Sequence, residues 1–329
     1  FWDQLRNMKS LPTNQVIIRK LDPGPRYQYA EDSDGRLHFV DLWMPLSDLY
    51  DASSFDPDVT NVYHLFTRLN PIISQPLVYK NGNLLRQSNY DINKRTVVLI
   101  HGWMNSATSD FNRILVPFLL AAADLNVIVV DWSIGANTFN YRLVNANTVR
   151  SGEAAARFIE WLNQATGSSL GQFHIVGHGV GGHQAGIVGR SLNRQISYIT
   201  GLNPSLIGWV NNIDRLSPND AVYTEVIHTN YVHGYLGDLA QVDFYANGGI
   251  SMPGCESNEC DHDRSYLYFA ESIISGGFTG RECLNYYAAL LKMCDFHSGR
   301  LRMGGLTPKN GQTGVYFLET NANPPFSQG

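Results

Sequence analysis

The stretch Phe173-His174-Ile175-Val176-Gly177-His178-Gly179-Val180-Gly181-Gly182-His183-Gln184-Ala185-Gly186 joins a short β-branched run to a glycine-rich turn and then to small residues at helical spacing. That layout predicts a strand, a sharp turn and a helix. An ordinary glycine-rich strand-to-helix connection shares it. The more specific reading is a nucleophile elbow, G-x-S-x-G, whose strained turn lifts a central serine clear of the sheet edge. Gly177 and Gly181 fill the flanking positions, but the centre is Gly179, which has no side chain to attack with. Beyond the turn, Gly182, Ala185, Gly186 and Gly189 give the helix a face that packs close to a sheet.

The neighbouring segments extend the pattern. Thr96 to Ile100 and Asn126 to Trp132 are apolar runs of the kind buried on both faces of a parallel sheet. Between them residues 111 to 123 read as a helix, and residues 146 to 164 place Val149, Ala156, Ile159 and Leu162 near one helical face. Ile196 to Leu202 follows the elbow helix. Val62 to Thr67, Val222 to His228, Val242 to Tyr245 and Gly314 to Glu319 read as further strands, and Asp263 to Ile274 as a helix. Strands alternating with helices predict an α/β fold with a central, mostly parallel sheet flanked by helices and right-handed crossovers. Ligands of such sheets sit at the carboxyl ends of the strands.

Residues 1 to about 60 differ in character. Asp22-Pro23-Gly24-Pro25 and Asp56-Pro57-Asp58 are turn signals, while Val16-Ile17-Ile18 and Leu37-His38-Phe39-Val40 read as short edge strands. The expected organisation is an irregular N-terminal extension over 1–60 packed on a single main domain over 61–329. No internal repeat or low-complexity tract interrupts it.

With 329 residues, 43% of them hydrophobic and 16% charged, the chain can bury a large core. A net charge of −5 and a pI near 6.0 provide no basic stripe for nucleic acid. No apolar run approaches the length of a transmembrane segment. Cys255 pairs in sequence with Cys260, and Cys283 with Cys294. Two local disulfides of a secreted protein are one reading. Zinc held by Cys255, Cys260 and His262 is another, although the spacing fits no usual zinc pattern.

Taken in order, Thr96 to Trp103 (TVVLIHGW), Val130 to Ala136 (VDWSIGA), His174 to Arg190, Ile199 to Pro204 (ITGLNP), Arg215 to Thr229 and Cys260 to Tyr266 (CDHDRSY) resemble the pancreatic lipase family of α/β-hydrolases, over roughly residues 60 to 329. The resemblance implies an α/β-hydrolase fold. It also implies that the positions of nucleophile, acid and base fall on Gly179, Asn203 and His262, in the chain order of that fold. Two of these three have lost the group the chemistry needs: Gly179 has no hydroxyl, and Asn203 has no charge to stabilise an imidazolium on His262. The backbone N–H groups of Trp103 and Val180 match the family's oxyanion hole. In its calcium-type loop Arg215 and Asp220 match while Ser217 replaces an aspartate, so no bound metal and no cofactor is expected. Cys255 and Cys260 enclose only Glu256 to Glu259, and the Tyr231 to Gln241 segment is short, a lid arrangement similar to the phospholipase A1 and insect yolk protein branches. The family's C-terminal lipid-binding sandwich is not expected.

The resemblance therefore implies an inactive yolk or storage protein, most similar to moth egg-specific or follicular yolk proteins, secreted and held in egg yolk granules. A lipid or steroid conjugate in the cleft, an oocyte uptake receptor and other yolk proteins are its implied partners. The alternatives are an active lipase or phospholipase A1 with an unconventional nucleophile, for which Ser133 and Ser205 are candidates, and a dedicated lipid carrier. His101, His178, His183, His228 and His297 are read as structural. No N-x-S/T acceptor for glycosylation occurs.

Overall fold

The computed structural model describes residues 27–31, 37–41, 55–276, 278–295 and 297–329. Within the expected irregular extension, β1 (Tyr27–Glu31) and β2 (Leu37–Asp41) pair antiparallel as a two-stranded sheet of their own. The strand at Leu37 is thus present, and its partner is Tyr27–Glu31. The run Val16 to Ile18 lies outside the described residues.

Eleven further strands make one sheet: β3 (Val62–Thr67), β4 (Asn70–Leu77), β5 (Thr96–Ile100), β6 (Asn126–Asp131), β7 (Phe173–His178), β8 (Tyr198–Leu202), β9 (Tyr223–His228), β10 (Val242–Ala246), β11 (Phe278–Cys283), β12 (Arg300–Met303) and β13 (Gly314–Leu318). Their order is β12-β11-β13-β10-β9-β8-β7-β5-β6-β3-β4. From β6 across to β13 every neighbouring pair is parallel, and the antiparallel pairings lie at the two ends.

Four longer helices cover this sheet: α1 (Asp110–Ala122), α2 (Tyr141–Thr166), α3 (Val180–Ser191) and α4 (Asn258–Ser275). The alternation of β5 and β6 sorts their side chains onto the two faces. Val98, Ile100, Ile128 and Val130 pack with Phe158, Ile159 and Leu162 of α2 and Ala185 and Val188 of α3. Val97, Leu99, Val127 and Val129 pack with Phe111, Leu115 and Leu119 of α1 and Phe269 of α4. Burial on both faces is why these strands read as unbroken apolar runs.

Where the elements differ from the sequence reading, caps and edges explain it. Helix α2 begins at Tyr141 because the Asn140 side chain accepts from the N–H of Leu143, and it stops at Gly167 in the left-handed region at φ 77°. Helix α4 begins at Asn258 because Ser257 caps the N–H of Cys260. Strand β4 contains Pro71 and Pro76, which an outermost strand tolerates because its free edge has no ladder partner to lose. Strands β11 and β12 carry Arg281, Arg300 and Arg302 at the opposite edge, so no apolar alternation marks them.

Candidate functional site

Strand β7 leaves the sheet at His178, and Gly179 turns the chain into α3 with φ 57° and ψ −123°. That conformation is unfavourable for any residue with a Cβ. The two flanking glycines are required by contact instead: a Cβ on Gly177 would run into the carbonyl of Gly181, and one on Gly181 into the carbonyl of Ile100. The turn has the geometry of an elbow. Backbone bonds tie it to the end of β8, with Gly179 N–H donating to the Leu202 carbonyl at 3.1 Å and Ser205 N–H to the Gly179 carbonyl at 3.3 Å.

Asn203 stands at that β8 end with φ 42°, its N–H donating to the Ile227 carbonyl of β9 at 2.8 Å. Its Oδ1 accepts from the N–H groups of Thr229 and Asn230 at 3.0 and 3.1 Å. Its Nδ2 lies 2.6 Å from Nδ1 of His262. His262 comes from the second turn of α4, whose N-terminus is pinned by the Cys255–Cys260 disulfide, with 5.5 Å between Cα atoms. The His262 backbone carbonyl accepts from the Ser265 hydroxyl at 2.7 Å. Nε2 of His262 points at the gap over Gly179, 3.2 Å from where a Cβ on that residue would stand. Gly179, Asn203 and His262 therefore converge at the carboxyl edge of the sheet.

Residues 51–326 match the sequence profile of the family Lipase. The chain belongs to that family. It is 32% identical to human pancreatic triacylglycerol lipase over 266 residues, covering 72% of this chain and 57% of that one. With the pig pancreatic triacylglycerol lipase the identity is 30% over 307 residues, covering 82% and 68%. With zebrafish lipase member H it is 34% over 221 residues, covering 64% and 48%. The chain thus spans between about half and two thirds of the length of these relatives. Its sheet and elbow are those of an α/β-hydrolase.

Measured against that family, the site contains residues the sequence reading assigned elsewhere. His178, read as structural, lies against His262 with ring centroids 4.2 Å apart and planes tilted by 38°, and the His233 ring centroid is 5.7 Å from that of His262. Burial pushes the His178 imidazole down to about 4, and burial with the two neighbouring imidazoles holds His262 well below the usual histidine range. At neutral pH both rings are uncharged. His178 was legible as the residue preceding the elbow centre, whereas nothing in the sequence around His233 marks it. Ser205, expected near the carboxyl edge of the sheet and not on the elbow, lies beside the elbow. Its Oγ stands 3.5 Å from the same Gly179 Cβ position, and Tyr141 hydrogen-bonds to it.

The remaining assignments are structural in their bonding. His101 Nδ1 pairs with the Gly102 carbonyl and its Nε2 accepts from the Trp132 N–H. His183 lies between the Ser205 carbonyl and the Leu216 N–H, and His228 between the Tyr235 carbonyl and Asp243. His297 lies away from the site, its backbone carbonyl accepting from Arg300. Ser133 opens a short helix after β6. The Asp220 carboxylate takes Arg190 at 2.6 Å and the Ser217 N–H and hydroxyl at 2.7 and 2.8 Å, so a guanidinium supplies the positive charge in that loop. All four cysteines are in disulfides, with Cys283–Cys294 at 4.6 Å between Cα atoms, which removes the thiolates that the zinc reading of Cys255 and Cys260 needs. Among the described residues no helix is long and apolar enough to cross a membrane.

Proposed function

We propose that this Lipase-family chain no longer hydrolyses esters and acts as a secreted storage or carrier protein of the insect yolk type, held in egg yolk granules. The observation that carries the reading is the gap at Gly179, where the elbow aims a backbone with no side chain at Nε2 of His262, 3.2 Å from the missing Cβ. An imidazole and backbone donors at Trp103 and Val180 without a nucleophile leave no covalent route for acyl transfer. Asn203 removes the second requirement, since an uncharged amide gives an imidazolium no counter-charge; the same exchange in serine proteases lowers turnover by roughly 10⁴.

In this reading Gly179, Asn203 and His262 are remnants of a triad. The part before residue 61 is an extension of the hydrolase domain, and the cleft above the sheet edge is free to hold a lipid or steroid conjugate. The disulfides support an extracellular setting. An oocyte uptake receptor and other yolk proteins are the partners such a protein requires.

The test is hydrolysis of a short-chain nitrophenyl ester and of a phospholipid by the native protein, with mass spectrometry of compounds extracted from it. No turnover together with a recovered lipid supports the carrier reading. Inhibitor-sensitive turnover overturns it. One observation favours a second reading, an esterase using Ser205, because that hydroxyl borders the same gap. A fluorophosphonate probe labelling Ser205, with loss of turnover in Ser205→Ala, would establish it.

A further inference from the structure

The orientation of the Asn203 amide is dictated by its neighbours. Two backbone N–H groups, from Thr229 and Asn230, converge on one atom of it at 3.0 and 3.1 Å, and only the amide oxygen accepts. The nitrogen end therefore faces His262. Nδ2 can only donate, so across 2.6 Å Nδ1 of His262 must be the acceptor. In the neutral ring the single proton then resides on Nε2. An aspartate at residue 203 would do the reverse, accepting from Nδ1–H and leaving Nε2 bare as a general base requires. A doubly protonated ring would set N–H against N–H at this contact, and burial opposes it as well.

Asn203 thus reverses the polarity of His262, beyond removing a charge. The Nε2–H faces Gly179, 3.2 Å from the place a Cβ there would occupy, with Ser205 Oγ 3.5 Å from that same place. His178 beside it is uncharged at neutral pH, and the Asp263 carboxylate lies 3.9 Å from His178 Nε2.

We propose that Asn203 is a positioning residue that holds His262 as an Nε2–H donor facing Gly179 and Ser205, so that the ring cannot take a proton from a hydroxyl at either place. The proposal deepens the reading of the site as one that has lost hydrolysis.

The experiment uses protein labelled with ¹⁵N-histidine at pH 7, with the His262 signals assigned by their loss in His262→Gln. Long-range ¹H–¹⁵N spectra are expected to show a protonated Nε2 in the native protein and a protonated Nδ1 in Asn203→Asp. A native ring protonated at Nδ1 overturns the proposal. The native spectrum does not depend on Asn203→Asp, so poor folding of that variant leaves the test standing. Hydrolysis of methyl octanoate by the native protein would defeat the carrier reading by itself, and the tautomer spectrum would still decide this proposal.

Discussion

Nε2 of His262 stands 3.2 Å from the place a Cβ on Gly179 would occupy, so the elbow and the imidazole are aligned although Gly179 has no side chain. Ser205 is close enough to border the same space, and the backbone of Gly179 bonds to both ends of the loop that carries Asn203. The alignment is a property of the sheet edge and does not depend on catalysis.

Gly179→Ser places a hydroxyl in that space at a backbone of φ 57°, and the strain is expected to lower stability by about 1–3 kcal/mol. The single variant is expected to show little or no ester hydrolysis, because Asn203 cannot stabilise the imidazolium. Gly179→Ser with Asn203→Asp is expected to exceed either single change by more than the sum of their effects. Nitrophenyl ester turnover by the native protein and three variants is the measurement; equal activity in Gly179→Ser alone and in the double variant would refute the role given to Asn203.

His178 gives the fold an acid-sensitive component. Its folded-state value, about 4, is below the 6.5 of an exposed histidine, so it binds its proton more readily when unfolded. Its contribution is present above pH 6.5 and is lost as pH falls through about 4, on the order of 3 kcal/mol in total. Urea unfolding between pH 7 and 4 is expected to show a shallower loss for His178→Phe than for the native protein. Identical slopes would contradict the assignment.

Asp261 acts in the opposite direction. Burial raises its carboxyl from 3.8 to about 6, so the folded chain favours the protonated form. The associated stability is present below pH 3.8 and lost as pH rises through about 6. Asp261→Asn retains an acceptor for the Met252 N–H, a 2.6 Å bond in the native chain. The variant is expected to gain on the native protein as pH rises from 4 to 7, read as the difference in urea midpoints, and a constant difference would remove the claim.

Glu225 lies fully buried in β9 and accepts from the Tyr223 hydroxyl at 2.7 Å, the Gly304 N–H at 2.6 Å and the Lys309 ammonium. Lys309→Met leaves that carboxylate without its counter-charge and is expected to cost about 3–5 kcal/mol, most of it recovered by adding Glu225→Gln. The exposed Arg113–Asp110 pair is expected to contribute less than about 1 kcal/mol, so Arg113→Ala serves as the control. Denaturant midpoints for the four proteins check the ordering.

The central strands, the elbow turn and the meeting of Gly179, Asn203 and His262 at the sheet edge were legible in the amino-acid sequence. Residues 97–100 and 127–130 are apolar because both faces of their sheet are covered. Gly177 and Gly181 are glycines because carbonyls approach them too closely for a Cβ. Such constraints act through local composition, so they leave a pattern that needs no coordinates. The outermost strands β4 and β12 and the penultimate β11 left no such pattern, since they are only partly covered and carry prolines or arginines. What only the tertiary structure decided was the meeting of side chains far apart in the chain: His178 and His233 about one imidazole, Ser205 beside the Gly179 gap, and Arg190 on Asp220. It also set the direction of the Asn203 amide, because the N–H groups of Thr229 and Asn230 that orient it come from the neighbouring strand end, 26 and 27 residues further along the chain.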